Sequence, residues 1–216
     1  MMEMQLDPVK TAVVSIDMHR GHLDPDVATM PLPAGQCGPL LERTRQLFRS
    51  IRQVGVPIIH IVTIYRDEEE ISSSPIWRAK SRDPSATRRN AMQHNLFGGP
   101  GIELMPGVHE PGDPVLTTKK RYSSFHGTEL DWLLRSRFGV DTVILVGVNT
   151  NTCVLCAAFD ACNRDYRVIV ASDCVDTMDG EDLHRFALES MRVSLGWVWD
   201  NTRILDALDA RTHIAR

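Results

Sequence analysis

The stretch DTVILVGVNTNTCVLCAAFD, residues 141–160, decides the fold. It opens on an apolar, β-branched run, Thr142–Val148, crosses a short polar turn and enters helix-forming residues over Cys153–Asn163. A run with no polar alternation suits a strand covered on both faces, as in a parallel sheet. A strand feeding straight into a helix is half of a βαβ unit.

Runs of the same kind occur at Thr11–Ile16, Pro57–Ile64, Pro114–Thr117 and Arg167–Ala171. Segments of helical period lie between them. Gly38–Val54 places Leu40, Leu41, Leu47, Phe48 and Ile51 on one face and stops at Gly55 before Pro57. Thr128–Phe138 starts with a capping threonine and the acidic Glu129 and Asp131, and Asp182–Ser194 is a further amphipathic helix. Alternating strands and helices with right-handed crossovers give a three-layer α/β/α sandwich, read here as a single domain over residues 1–216. Trp197 and Trp199 alternate as in a final strand or an oligomer contact.

Two segments break the rhythm. Asp24–Gln36 is a Pro-, Asp- and Gly-containing loop after the first strand. Arg66–Gly101 is a long polar excursion, and loops beyond about 12–15 residues are usually functional or mobile. It is read as a cap over a site, its own or a neighbouring subunit's, or as an oligomer contact.

Composition narrows the function classes. The 43% apolar and 24% charged content is that of a globular protein, and a net charge of -4 gives no electrostatic reason to expect nucleic acid. No stretch approaches the roughly 20 apolar residues that span a bilayer, and the N-terminus lacks the pattern of a signal peptide, so no membrane partner is expected. The five cysteines (Cys37, Cys153, Cys156, Cys162, Cys174) form no regular framework, which favours free thiols in a reducing, cytoplasmic setting.

Ligands of open α/β sheets bind beyond the carboxyl ends of the strands. Asp17 ends the first run, Lys119 follows the third, and Cys153 begins the helix after the fourth. A thiol in the first helical turn meets the positive end of the helix dipole, and a nearby lysine adds positive charge; both favour the thiolate. Asp17 is placed to take the thiol proton and return it to a leaving amine. Backbone N–H groups in the Gly147–Cys153 turn supply an oxyanion hole. The set amounts to acyl-transfer machinery.

At these residues the chain resembles the isochorismatase-like cysteine hydrolases. The resemblance lies in Val14-Ser-Ile-Asp17-Met-His-Arg20, in Lys119-Lys-Arg-Tyr-Ser-Ser-Phe125-His-Gly-Thr128 and in Gly147-Val-Asn-Thr-Asn-Thr-Cys153-Val154. Ala157–Asp160 and Tyr166–Asp173 extend it over nearly the whole chain. It implies a six-stranded, mainly parallel sheet, an Asp17–Lys119–Cys153 triad and a cis peptide before Asn149. The N–H groups of Asn149 and Cys153 are then the oxyanion donors. The family's lysine lies six residues before the aromatic, which selects Lys119 over Lys120 by its distance from Phe125. Family members are commonly dimers or tetramers, so a homo-oligomer is expected.

Nicotinamidases of this kind hold a metal with an Asp-x-His motif after the second strand, where this chain has Tyr65-Arg-Asp67-Glu68. Vinyl-ether-cleaving members lack the cysteine. The resemblance therefore implies the amide-cleaving branch, acting on a small amide, carbamoyl or ureido substrate, with no cofactor. His19 and His22 are spaced i, i+3 but have no third ligand nearby in sequence, so no metal is expected. Candidate substrate contacts are Phe125, Trp77, Arg66 and His22, with Arg78 as a second guanidinium. The Asn149 side chain either enters the pocket or braces its turn. The rival readings are a metal-dependent nicotinamidase-type amidase and a non-catalytic binding protein on the same fold.

Overall fold

The structure is a computed structural model that describes residues 4–212. Its strands are β1 (Thr11–Ile16), β2 (Ile58–Thr63), β3 (Val115–Lys119), β4 (Thr142–Val148), β5 (Arg167–Asp176) and β6 (Trp197–Trp199). They form one six-stranded sheet in the order β3-β2-β1-β4-β5-β6, and every pairing is parallel. The apolar runs are buried as their composition demands, since each residue of β1, β2 and β4 is inaccessible on both faces.

Period-2 alternation divides those residues between two layers. Val14, Ile16, Val143 and Leu145 face one core, with Leu130 and Leu134 of the 130–137 segment, Ala157 and Ala161 of α6 (Leu155–Cys162) and Met191 of α7 (Glu181–Ser194). Val13, Ile144, Val146 and Ile169 face the other, with Leu47, Phe48 and Ile51 of α2 (Cys37–Gln53) and Ile204 and Leu208 of α8 (Asn201–Thr212). This is the three-layer sandwich.

Some elements differ from the sequence expectation. Residues 130–137 form one α-helical turn, α5 (Leu130–Trp132), continued by wide π-type turns over Leu133–Arg137. Trp197–Trp199 is the final strand, paired with β5 through Ile169 and Ala171. Helix α8 was not anticipated, although Asp200 accepts from the backbone N–H of Arg203 at 2.8 Å as an N-cap does.

The excursion is folded. After the short helix α1 (Arg20–Leu23), the next elements outside the sheet are α3 (Glu68–Ser72), capped by Asp67 through the Glu70 N–H at 2.8 Å, and α4 (Pro75–Lys80). Ile71 and Trp77 pack with Tyr65 at the carboxyl end of the sheet. The excursion thus covers the carboxyl edge of its own chain.

That edge is where the sheet reverses its winding, because β1 is flanked by β2 on one side and β4 on the other. Gly147 makes the close approach there. Its φ is +117°, and a Cβ at this position would lie 1.9 Å from the Ile16 carbonyl oxygen.

Candidate active site

Asp17 is the first residue past β1. It adopts a left-handed conformation (φ 53°), a region in which Asp is tolerated better than most residues. Its N–H donates to the Ile61 carbonyl at 2.8 Å, which ties it to β2. Its Oδ1 accepts from the Thr63 N–H at 2.9 Å and from Thr63 Oγ1 at 2.8 Å. Its Oδ2 faces Lys119.

Lys119 closes β3 with its side chain 2% exposed. The Nζ donates to Asp17 Oδ2 at 2.6 Å, to Thr63 Oγ1 at 2.6 Å and to Cys153 Sγ at 3.5 Å. All three ammonium donors are therefore used inside the site. Lys120 points the other way, to the Ile64 carbonyl and the Glu70 carboxylate, as alternation along a strand requires.

Cys153 lies in a wide π-type turn, Thr150–Val154, that leads into α6. The peptide between Val148 and Asn149 is cis. The Asn149 side chain braces the turn, because its Oδ1 accepts from the Met178 N–H at 2.9 Å.

The charges in this cluster are interdependent. Burial opposes ionisation of Asp17, but the Lys119 ammonium outweighs it and holds the carboxyl well below its usual range. Burial likewise opposes the Lys119 charge, and the Asp17 carboxylate keeps the ammonium raised. For Cys153, burial pushes the thiol up, Lys119 pulls it down and the Asp17 carboxylate pushes it up again, leaving it at about 11. The sequence expectation of a thiolate is thereby corrected. Burial and the Asp17 carboxylate favour the neutral thiol, while Asp17 and Lys119 each favour the charged form of the other.

Asp17, Lys119 and Cys153 line a narrow pocket at this edge, with about 40 Å³ of free space. Of the candidate substrate contacts, Trp77 and His22 line it. The Trp77 Nε1 donates to the Tyr122 hydroxyl at 3.2 Å and the ring stands edge-on to Tyr65 and Tyr122. Two candidates are elsewhere. Arg66 has a side chain 81% exposed and paired with Glu70, outside the pocket. Phe125 is buried in the helical core beside Tyr166, because its backbone is drawn inward by bonds to Ser123 Oγ and Thr128.

The guanidiniums that do line the pocket are Arg88 and Arg121, which sequence reasoning missed along with Tyr65 and Tyr122. Arg88 is held bidentately by Asp179 at 2.7 and 2.8 Å. Arg78 is not among the lining residues.

The expectation that His19 and His22 lack a third partner is also corrected. His94, brought in by the excursion, completes a buried cluster with ring centroids 4.6 to 5.7 Å apart. Burial and the neighbouring His19 push His22 down to about 3, and burial and His22 push His94 well below the ordinary histidine value. At the place where a nicotinamidase-type metal would sit, Asp67 is spent capping α3 and Arg66 faces outward, so that donor set does not fit.

Comparison with known proteins places this geometry. Residues 11–203 match the Isochorismatase domain. The chain is 31% identical over 212 residues to the ureidoacrylate amidohydrolase RutB of Methylobacterium radiotolerans, covering 94% of this chain and 81% of that protein. A cysteine hydrolase from Pseudomonas syringae pv. phaseolicola superposes with a TM-score of 0.82 at 24% identity, over 95% of each chain. The N-carbamoylsarcosine amidase from Thermoplasma acidophilum superposes with a TM-score of 0.67 at 28% identity, covering 89% of this chain and 96% of that one.

Proposed function

The chain belongs to the Isochorismatase domain family, and on that premise we propose that it is a cysteine amidohydrolase cleaving a C–N bond of a small carbamoyl or ureido compound. The observation that carries the reading is the placement of one lysine ammonium, which donates at 2.6 Å to Asp17 Oδ2 and at 3.5 Å to Cys153 Sγ. The amide-cleaving names of the relatives support the same reaction class.

In the proposed reaction the Cys153 sulfur attacks the substrate carbonyl carbon as its proton passes to Asp17. The carbonyl π electrons move onto oxygen, and the N–H groups of Asn149 and Cys153 receive the resulting oxyanion. Asp17 then protonates the nitrogen as the C–N bond breaks, releasing ammonia or an amine and leaving a thioester on Cys153. Water gives a proton to Asp17 while its oxygen attacks the thioester. The C–S bond breaks, and the thiol recovers its proton from Asp17. Lys119 stays charged throughout and holds the carboxylate and the sulfur in register. A neutral thiol next to a carboxylate suits this sequence, because the proton leaves only as the C–S bond forms.

Aromatic walls at Tyr65, Trp77 and Tyr122 with the Arg121 guanidinium beside them favour a flat, small molecule with an anionic end. Ammonia release across a panel of ureido, carbamoyl and primary-amide acids tests the proposal. Turnover is expected for at least one class, lost by more than about 10⁴-fold in Cys153→Ala, with the acyl adduct on Cys153 trapped by acid quench and mass spectrometry. Undiminished turnover in Cys153→Ala rules the mechanism out. No turnover of the panel together with no adduct favours a binding protein on the same fold.

A further inference from the structure

We infer that His19, His22 and His94 form a divalent transition-metal site on the wall of the pocket, beside the Asp17–Lys119–Cys153 cluster, with His19 Nε2 3.5 Å from Asp17 Oδ1. The three side chains come from two parts of the chain far apart in sequence. His19 and His22 flank the short turn after β1, and His94 is supplied by the excursion. All three are buried, at 0%, 4% and 3% exposure, and each offers a ring nitrogen within 4.8 Å of the others. A tetrahedral ion with nitrogens at about 2.0–2.1 Å holds them about 3.3 Å apart, so modest inward rotation of the rings brings them to bonding distance.

The hydrogen bonds behind the rings fix which nitrogens are available. His22 Nδ1 lies 2.6 Å from the Met30 carbonyl. A carbonyl only accepts, so Nδ1 carries the proton and Nε2 keeps its lone pair. His94 Nδ1 lies 2.9 Å from Thr29 Oγ1, a hydroxyl that accepts from Nδ1–H in the tautomer that leaves Nε2 free. The Asn95 amide nitrogen donates to the Thr63 carbonyl at 2.8 Å, which fixes the orientation of the amide. The same nitrogen lies 2.9 Å from His19 Nε2, so an ion bound there takes the place of this Asn95 contact. A backbone carbonyl behind His22 and a hydroxyl behind His94 are the kind of partners that orient imidazoles in metal sites.

The scaffold is specific to this arrangement. Gly21, between the two histidines of the turn, has no side chain where Asn95 Oδ1 would lie 2.0 Å from a Cβ. That Asn95 oxygen is buried between Gly21 and Gly101, without a hydrogen-bond partner among the described residues. The 24–36 loop supplies both the Met30 carbonyl and the Thr29 hydroxyl, and Asn90 pins it to the excursion through the Thr29 carbonyl at 3.1 Å. His22 and His94 also line the pocket, so an ion held here keeps an open coordination position toward a small molecule bound above Cys153.

An all-imidazole donor set suits zinc, cobalt, nickel, copper or iron and is poor for magnesium or calcium. The site does not depend on the amidohydrolase reading, and its test needs no substrate. Metal-stripped protein is titrated with Zn²⁺ by calorimetry and with Co²⁺ by visible absorption. We expect one equivalent of Zn²⁺, a Co²⁺ d–d spectrum of four- or five-coordinate character, and competition between the two ions. Affinity falls at least about 100-fold in His94→Ala and in His22→Gln, and about 10–100-fold in Thr29→Val, which removes only the hydroxyl behind His94. Cys153→Ala binds both ions as the unaltered protein does. Far-UV circular dichroism accompanies each variant; if His94→Ala is unfolded, His22→Gln and Thr29→Val decide. Absence of stoichiometric binding by the unaltered protein overturns the inference. So does binding that survives folded His94→Ala and His22→Gln, or binding lost in Cys153→Ala.

Discussion

The Lys119 ammonium and the Asp17 carboxylate form an ion pair of 2.6 Å with both side chains 2% exposed. Such a pair contributes little over an apolar replacement of both partners, but breaking it strands a buried charge at a cost of about 3–5 kcal/mol. Lys119→Met is therefore expected to destabilise the fold by that amount in urea unfolding. The double variant Asp17→Asn/Lys119→Met should recover most of the loss. Equal destabilisation in the single and double variants would show that the two charges are not coupled.

The neutral thiol gives a second prediction, in which the sign is set by Asp17. With Cys153 at about 11, its alkylation by iodoacetamide, followed by peptide mapping, is slow near pH 7–8 and accelerates toward pH 11. Asp17→Asn removes the anion that raises the thiol and leaves the Lys119 charge that lowers it. Modification of Cys153 at pH 8 is then expected to be faster in Asp17→Asn than in the unaltered protein. An unchanged rate would mean that burial alone governs the thiol, and a slower one that proton transfer to Asp17 outweighs its charge.

The parts of this site that were legible in the sequence share one property: Asp17, Lys119 and Cys153 each follow directly on an apolar run. In an all-parallel sheet the ends of such runs lie on one edge, so order along the chain translates into proximity. Residues of the excursion have no such rule. Arg66 and Arg88 are chemically equivalent in sequence, but Arg66 has Glu70 four residues on to hold it outside, while Asp179 draws Arg88 across to the pocket. Phe125 is apolar like any pocket wall, and only packing shows that it belongs to the core. His94 carries no local pattern linking it to His19 and His22. The protonation of Cys153 depends on depth of burial, which residue type does not encode.

Close packing at the β1–β4 crossing predicts a sharp response at Gly147. Its φ of +117° disfavours any side chain, and a methyl group would meet the Ile16 carbonyl oxygen at 1.9 Å. Conformational strain and overpacking each cost about 1–3 kcal/mol, so Gly147→Ala is expected to lose about 3 kcal/mol or more. Gly112 also has a positive φ but nothing within 4 Å of its Cβ position, so Gly112→Ala isolates the conformational part. Thermal unfolding of the two variants should rank Gly147→Ala well below Gly112→Ala; equal melting temperatures would remove the contact from the explanation.

Arg88 and Asp179 join the excursion to the segment between β5 and α7, and Asp179 also accepts from Thr87 Oγ1 at 2.8 Å and from Asn151 Nδ2 at 2.9 Å. Burial raises the Asp179 carboxyl, but the hydrogen bonds from Arg88, Asn151 and Thr87 outweigh it and bring it from 3.8 to about 2. A carboxyl lower in the folded than in the unfolded chain binds fewer protons when folded. Its contribution to stability is thus fully present above about pH 4 and is lost as the pH falls through about 2. Asp179→Asn should destabilise the protein at pH 7, because Arg88 loses its partner, and should flatten the fall in stability between pH 4 and pH 2 relative to the unaltered chain. Since the pair anchors the excursion, limited proteolysis of Asp179→Asn at neutral pH should cut first within residues 66–101, before the sheet is opened. Cleavage elsewhere first, or an unchanged acid limb, would show that the excursion is held by its Trp77 packing and not by this pair.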